Sequence, residues 1–322
     1  MRKLLPLLLC CLLLTGCVRD PIAPMVSDAA GDVPAPAVAG LPAVSNTATL
    51  WFRYGEEAFL APERRELLSS PQESYALRLL QALLEGPGAA TAELGGLFPQ
   101  GTQALSVTQS GRVMFVTLSR HIMNGYADEP ANWRDNPEWA TEVPLRRKLA
   151  MQSIAATLTE NCEVDTVVIL VEQGREATDS LRLRQGYYTL DGDTTLADPL
   201  KREEALLLTP MRTAEIILEC WQTRDFTRLY RYVARTDPAT AQPRPEEAAF
   251  VATMNELPHL LWAVAEGGSV SADGQASVFT VGGACLDAGV ERTFDGMVLH
   301  LIREKGLWRV GLSELTGREA LP

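Results

Sequence analysis

The first seventeen residues constrain this chain most, because they determine in which compartment the rest of it folds. A positive pair, Arg2 and Lys3, precedes an apolar run over residues 4–14, which has the length of a signal-peptide core. The run is too short to cross a bilayer as a helix, which requires about 20 apolar residues. Two small residues then lead to Cys17. The sequence therefore predicts a secretory signal peptide over residues 1–16.

The tetrapeptide Leu14-Thr15-Gly16-Cys17 resembles the lipobox that lipoprotein signal peptidase cleaves. The resemblance implies that Cys17 receives a diacylglycerol, becomes the mature N-terminus and carries acyl chains such as palmitate. Each buried CH₂ contributes about 0.8 kcal/mol, so two or three chains would hold the protein on the extracytoplasmic face of the cell membrane. The alternative is an ordinary signal peptide that a cysteine follows by chance.

The charge balance bears on which partners the chain can bind. Its formal net charge is −12, and so acidic a surface repels phosphate backbones and anionic lipid headgroups. The sequence therefore predicts no nucleic-acid partner. It also assigns attachment to the membrane to the lipid anchor and not to a basic patch.

The chain divides into a tether and two predicted domains. Proline, alanine, glycine, serine and valine dominate the segment after Cys17 without any periodicity, which predicts a disordered, lipidated tether over residues 17–47. The remaining length suits two domains of about 100–200 residues each. We place them at residues 48–205 and 206–322.

Both predicted domains combine helices and strands, so we expect the α+β class. In the first, the order β-β-α-β-β-α-β predicts two helices on a mixed sheet. Ser70 is predicted to cap its first helix, the second is predicted over about 145–160, and a long loop precedes it. In the second domain, helices that begin after Thr209 precede an antiparallel meander with a turn at Lys305-Gly306, which predicts a curved sheet on helices.

Three motifs of the first domain resemble a known family. LAPERR from residue 60, LLEGP from residue 83 and FPQGT from residue 98 are similar to the GerMN domain of sporulation and spore germination lipoproteins. The resemblance covers about residues 48–172. It implies a fold like that of ring-building motifs and a non-enzymatic scaffold role in the cell envelope, without a cofactor.

The second domain resembles the nuclear-transport-factor-2-like (cystatin-like) superfold over about residues 209–316. The likeness rests on the order of elements and on GLWRV at residues 306–310. Because that fold carries both enzymes and binding modules, it implies no particular function.

Eight residues are candidates for contact with a partner or ligand. The polar cluster of Glu63, Arg64 and Arg65 is either a docking edge for a partner strand or a structural ion pair. Trp133 and Trp139 would stack on the sugar rings of peptidoglycan, anchor a partner or cap the end of the sheet. The other three candidates are Trp221, Trp262 and His300 of the second domain. Together with Tyr230 and Phe279 they would line a C-terminal pocket for a small ligand or for catalysis. For His300 a purely structural role is the alternative.

No catalytic motif is apparent in the sequence. Its three histidines are not at metal-ligand spacing, and nucleophile-elbow, SxxK and Walker-type loops do not occur. We therefore predict a protein that is not an enzyme and binds no metal. Its expected partners are other envelope proteins or further copies of itself.

Overall fold

The computed structural model of the protein describes residues 44–70, 73–174 and 179–317. The predicted signal peptide, Cys17 and nearly all of the predicted tether lie outside the described residues. The described residues belong to one compact unit, which we divide for description into an N-terminal part, residues 44–205, and a C-terminal part, residues 206–317. The predicted domain boundary at 205/206 falls inside this unit and stays a prediction.

The N-terminal part contains two sheets and two principal helices. The first sheet is antiparallel, and its order is β2 (Leu60–Ser69), β1 (Val44–Tyr54) and β3 (Leu94–Gly95). The second has the order β4-β5-β6-β7 and is mixed, because β5 and β6 are parallel. The elements are β1 (Val44–Tyr54), β2 (Leu60–Ser69), α1 (Tyr75–Leu84), β3 (Leu94–Gly95), β4 (Ala104–Ser110), β5 (Val113–Leu118), α2 (Pro137–Asn161), β6 (Thr166–Glu172), β7 (Ser180–Arg182) and a short α3 (Gly186–Thr189). The predicted α+β class is confirmed, with the strands of this part divided between two sheets.

The C-terminal part places helices before an antiparallel meander, in the order that the sequence predicted. Its sheet has the order β11-β10-β9-β8. The elements are α4 (Pro210–Thr223), α5 (Phe226–Tyr230), α6 (Glu247–Asn255), β8 (His259–Val270), β9 (Ala276–Asp287), β10 (Val290–Glu304), β11 (Leu307–Val310) and α7 (Leu312–Thr316). Thr209 caps α4 by accepting a hydrogen bond from the Arg212 amide at 3.1 Å, as predicted.

Two predicted helix starts are wrong. Helix α1 begins at Tyr75 with Ser74 as its N-cap, so Ser70 does not cap it. Helix α2 begins eight residues before the predicted start, because Asn136 accepts a hydrogen bond from the amide of Glu138 at 3.0 Å and caps it. Pro144 lies inside this helix and does not end it. Much of the predicted loop before residue 145 is therefore helical.

Helix α2 covers the open edge of β1 with three polar side chains spaced four residues apart, which we call the polar stripe: Ser153, Thr157 and Asn161. The Thr157 hydroxyl accepts from the Trp51 amide at 3.1 Å, and Ser153 donates to the Trp51 carbonyl at 2.6 Å. The Asn161 amide group accepts from the Thr49 amide at 2.9 Å and donates to the Thr49 carbonyl at 2.7 Å. The helix thus satisfies backbone groups that an edge strand would otherwise expose to a further strand.

We predict that Thr157→Val destabilises the protein by about 2 kcal/mol. Valine keeps the volume but leaves the buried Trp51 amide without an acceptor, and such an orphaned donor costs about 1–3 kcal/mol. Urea unfolding of the two proteins measures the difference. The matched control is Thr159→Val, because the Thr159 hydroxyl donates only to carbonyls of its own helix. Equal effects of the two substitutions would contradict the role of the stripe.

Candidate interaction surfaces

Glu63 and Arg65 form an ion pair that ties β2 to the end of α1. Glu63 is 5% exposed and accepts hydrogen bonds from Arg65 Nε at 2.7 Å, the Gly88 amide at 2.8 Å and the Thr91 hydroxyl at 2.7 Å. Arg65 also donates to the carbonyl of Gly86 at 2.9 Å. This geometry is that of the structural ion pair, one of the two alternatives that the sequence left open. Both carboxylate oxygens already have donors.

Arg64 lies between the two members of that pair in sequence but apart from them in space. Its side chain is exposed, as alternation along a strand requires. It lines a cleft together with residues of the turn between β10 and β11. The three candidate residues of this cluster are therefore divided between a buried ion pair and a surface cleft.

The two tryptophans before and at the start of α2 each carry an arginine on the ring. Trp133 is 8% exposed, and the Arg134 guanidinium lies 4.3 Å from its ring centroid. Trp139 is half-buried, and the Arg146 guanidinium lies 5.2 Å from its ring and 5.4 Å from that of Tyr126. Each such cation–π contact covers one face of the ring, on which a sugar would otherwise stack. Arg146 belongs to α2, so its contact with Tyr126 joins the preceding segment to that helix.

Arginine–carboxylate contacts also anchor this segment to the first sheet. Arg146 binds Asp128 at 2.7 Å and Glu142 at 2.6 Å, and Glu142 also pairs with Arg53 of β1. The hydrogen bond from Arg146 holds the pKa of Asp128 below its usual value. The two tryptophans were found from the sequence, but this network was not, because its members are far apart in sequence.

The predicted residues of a C-terminal pocket do not converge. Trp221 and Phe279 are 1% and 3% exposed and belong to the core; the Trp221 indole donates to the Pro258 carbonyl at 3.2 Å. Trp262 is 49% exposed, and His300 is exposed. The strand register puts Trp262 opposite Ala284 and His300 opposite Val278, so both lie on the face of the sheet opposite to Phe279.

The face that carries Trp262 and His300 is the outer face of the C-terminal sheet. Besides Trp262, it exposes Val264 at 52% and Val298 at 45%. His300 Nδ1 lies 3.2 Å from the Glu314 carboxylate of α7. This polar pair lies on one side of the exposed apolar residues. An exposed group of large apolar side chains with a polar rim is typical of a surface that binds another protein.

Sequence reasoning missed a cavity of about 890 Å³ between α2 and the segment that follows β7. Apolar residues line its floor, and the Lys148–Glu203 ion pair, at 2.8 Å, lies at its rim. Tyr188 lines the cavity, its buried hydroxyl has no hydrogen-bond partner among the described residues, and burial raises its pKa. A signal existed in the helical spacing of Leu145, Lys148 and Met151, but no motif marks it.

The N-terminal and C-terminal parts meet at partly buried carboxylates that bind arginines of the other part. Glu57, before β2, accepts hydrogen bonds from Nε of Arg228 at 2.7 Å and from Nη2 of the same arginine at 2.8 Å. The Tyr54 hydroxyl donates to the Arg231 carbonyl at 2.6 Å, and burial raises the pKa of Tyr54 to about 12. We call this set of contacts, with those of Glu93 described next, the charged junction.

Glu93 forms the second centre of the charged junction. It accepts from Arg309, which is 2% exposed, at 2.9 Å and from Arg235 at 3.1 Å. Burial alone would raise the pKa of Glu93, but the charge of Arg309 and the hydrogen bond from Arg235 hold that pKa below its usual value. No sequence motif marks these pairs.

Within the part of the chain that the structure describes, no helix combines the length and the apolar character needed to cross a bilayer. In the same residues, no three histidine, cysteine or acidic side chains are grouped so that they could hold a metal ion.

Comparison with known proteins places one family in the N-terminal part. Residues 50–176 match the family model described as Germane, sporulation and spore germination, which covers less than half of the chain. No match was found among curated proteins. The resemblance to the GerMN domain that the sequence indicated is therefore confirmed for this segment. The chain carries a Germane domain.

Solved structures are similar at low identity. The tandem GerMN domains of the sporulation protein GerM from Bacillus subtilis match at 16% identity and a TM-score of 0.33, over 50% of this chain and 48% of that one. The chain thus spans about half the length of that structure. A putative lipoprotein from Clostridium perfringens matches at 16% identity and a TM-score of 0.27, over 51% of this chain and 90% of that one. The first GerMN domain of GerM matches at 16% identity and a TM-score of 0.29, over 49% of this chain and 98% of that one.

We predict that Glu57→Gln destabilises the protein by about 2 kcal/mol, because it weakens two charge-assisted hydrogen bonds to the partly buried Arg228. Denaturant unfolding measures this change. Glu219→Gln is the matched control, since Glu219 binds the same arginine at 3.1 Å but is half exposed, and such pairs contribute about 0.5 kcal/mol. A larger loss from Glu219→Gln than from Glu57→Gln would refute the junction's role.

We also predict that the charged junction weakens in acid. A carboxylate whose pKa is lowered by folding contributes stability above its unfolded pKa, and that contribution is lost as the pH falls through the folded pKa. The unfolding free energy of Glu93→Gln should therefore fall less than that of the native protein between about pH 5 and about pH 3. Parallel pH profiles would show that Glu93 is not a source of acid sensitivity.

Proposed function

We propose that this protein is a lipid-anchored, extracytoplasmic binding module of the cell envelope that acts without catalysis in sporulation or spore germination. The Germane domain over residues 50–176 is the observation that carries the proposal. The Leu14-Thr15-Gly16-Cys17 motif supports the anchor. Attachment through Cys17 would confine the Germane domain to the outer face of the membrane, where an envelope assembly could recruit it.

The charged junction supports a scaffold role. Glu57 and Glu93 of the N-terminal part each bind arginines of the C-terminal part, and all these side chains are at least partly buried. A partner that binds one part would therefore be coupled mechanically to the other. In this proposal the C-terminal part is a nuclear-transport-factor-2-like module that serves as a second contact surface.

The outer face of the C-terminal sheet is the surface that we assign to a protein partner. Trp262, Val264 and Val298 are all exposed on this face, and tryptophan is among the residues that contribute most to binding energy in protein interfaces. The partner would be another envelope protein or a second copy of this chain. His300 and Glu314 would lie at the polar edge of the contact.

The anchor is tested by mass spectrometry of the mature protein. We expect an acylated N-terminal Cys17 in the membrane fraction of the native host. Cys17→Ser should abolish acylation and move the exported chain out of that fraction, because in this proposal the lipid is what attaches the chain to the membrane. An unacylated mature chain, or a precursor that stays in the cytosol, would overturn the proposal.

The surface is tested by a photo-crosslinking amino acid incorporated at Trp262 in intact cells. We expect a specific adduct, at twice the chain's mass for self-association or at another mass for a different envelope protein. The control position is Leu196, which is exposed to a similar extent, at 53%, in the N-terminal part. Absence of an adduct at Trp262, or equal adducts at both positions, would exclude the outer face as the docking surface.

A further inference from the structure

A cleft of about 440 Å³ lies at the meeting of the two parts of the protein. The N-terminal part contributes Arg64 of β2 and the loop after α1, and the C-terminal part contributes Arg303 and the turn at Lys305-Gly306. The turn lies close to β2, because a side chain at Gly306 would come within 3.0 Å of the Pro62 carbonyl. A molecule in this cleft would touch both parts at once.

Three cations line the cleft without a carboxylate partner. Among the described residues, Arg64, Arg303 and Lys305 form no ion pair. The Lys305 amine reaches only the Ala90 carbonyl, at 3.4 Å. This grouping contrasts with the acidic balance of the whole chain, whose net charge is −12.

The carboxylate in the cleft wall does not neutralise these cations. Glu63 is already paired with Arg65, and its oxygens accept from Gly88 and Thr91 as well. The pair is neutral as a unit, so the cleft retains the charge of its three cations. Its positive field is local, and the repulsion of anions by the whole surface does not remove it.

Arg303 is held in place although Arg64 repels it. Arg303 Nε donates to the Gly306 carbonyl at 3.2 Å, and its guanidinium lies 5.6 Å from the Trp308 ring. Burial and the nearby charge of Arg64 lower the pKa of Arg303, and the opposing effect of Glu160, which is paired with Arg202, is smaller. An anion between the two guanidiniums would remove this repulsion, because charge-assisted hydrogen bonds to an oxyanion favour the charged form.

Lys305 occupies a backbone conformation that a lysine does not favour. Its φ is +53° and that of Gly306 is +92°, so the two-residue hairpin turn has both central residues in the left-handed region. Asparagine or aspartate followed by glycine suits such a turn best. A strained residue at a cleft points to a functional role for its side chain.

We propose that the cleft binds a phosphate group, held by Arg64, Arg303 and Lys305. Three unpaired cations match the two charges and several acceptor oxygens of a phosphate better than the single charge of a carboxylate. The volume lies within the range of small-ligand sites. This inference does not depend on the envelope role or on the lipid anchor. The phosphate belongs either to a small soluble ester or to a lipid headgroup.

Isothermal titration of the full-length protein in detergent with glycerol 3-phosphate tests the proposal. We expect saturable binding at one site. Arg64→Gln and Lys305→Asn should each weaken binding about tenfold, which is the effect of losing one charge-assisted hydrogen bond. Lys305→Asn should leave the melting temperature unchanged or raise it, because asparagine tolerates the left-handed region, so lost binding would not reflect unfolding.

Two substitutions of the same kinds elsewhere serve as controls. Arg120→Gln and Lys201→Asn remove exposed charges that do not line the cleft, and neither should change the affinity. No heat of binding, or an equal loss in cleft and control variants, would overturn the proposal. Equal or tighter binding of acetate would overturn the assignment of phosphate.

A second experiment distinguishes a lipid headgroup from a soluble ester as the source of the phosphate. Vesicles of phosphatidylglycerol in phosphatidylcholine are mixed with the Cys17→Ser protein, and sedimentation measures the bound fraction. Binding that requires phosphatidylglycerol and is lost in Arg64→Gln supports a lipid headgroup. Binding of glycerol 3-phosphate without vesicle binding supports a soluble ester.

Discussion

The polar stripe of α2 on the open edge of β1 is the contact on which the N-terminal part depends. It supplies donors and acceptors to Thr49 and Trp51 that a neighbouring strand would supply in a larger sheet. The short strand β3 pairs with β1 only at Arg53 and Tyr54, and the stripe satisfies backbone groups of β1 beyond that pairing. On the other side of the sheet, the Leu208 amide donates to the Leu60 carbonyl at 2.7 Å and covers the start of β2. Both contacts satisfy backbone groups of the first sheet that no further strand reaches.

The charged junction makes the two parts interdependent. Its carboxylates, Glu57 and Glu93, come from loops of the N-terminal part, while Arg228 lies in α5, Arg235 in the loop after it and Arg309 in β11. Breaking one such pair costs more than its formation contributes, because it leaves a buried charge without a partner. The cationic cleft lies at the same meeting of the parts, so a bound anion would act on the contact between them.

The sequence was informative where the signal is local. The cap at Thr209 and the turn at Lys305-Gly306 were both predicted, since each depends on residues adjacent in the chain. The starts of α1 and α2 were not, because Ser74 and not Ser70 is the N-cap of α1, and because the cap at Asn136 was not recognised within the predicted loop. Apolar periodicity identified the helix around Ile154 but not the polar stripe, since buried polar side chains run against the pattern.

The sequence by itself determined the α+β class, the Germane segment and the residue types able to make contacts. Only the tertiary structure decided which of these residues are available. Trp221 is buried and Trp262 exposed, although both are tryptophans of the same part. Glu63 is satisfied by its neighbours, whereas the adjacent Arg64 faces a cleft. The physical reason is that exposure and pairing depend on contacts between residues far apart in the chain, which local patterns do not encode.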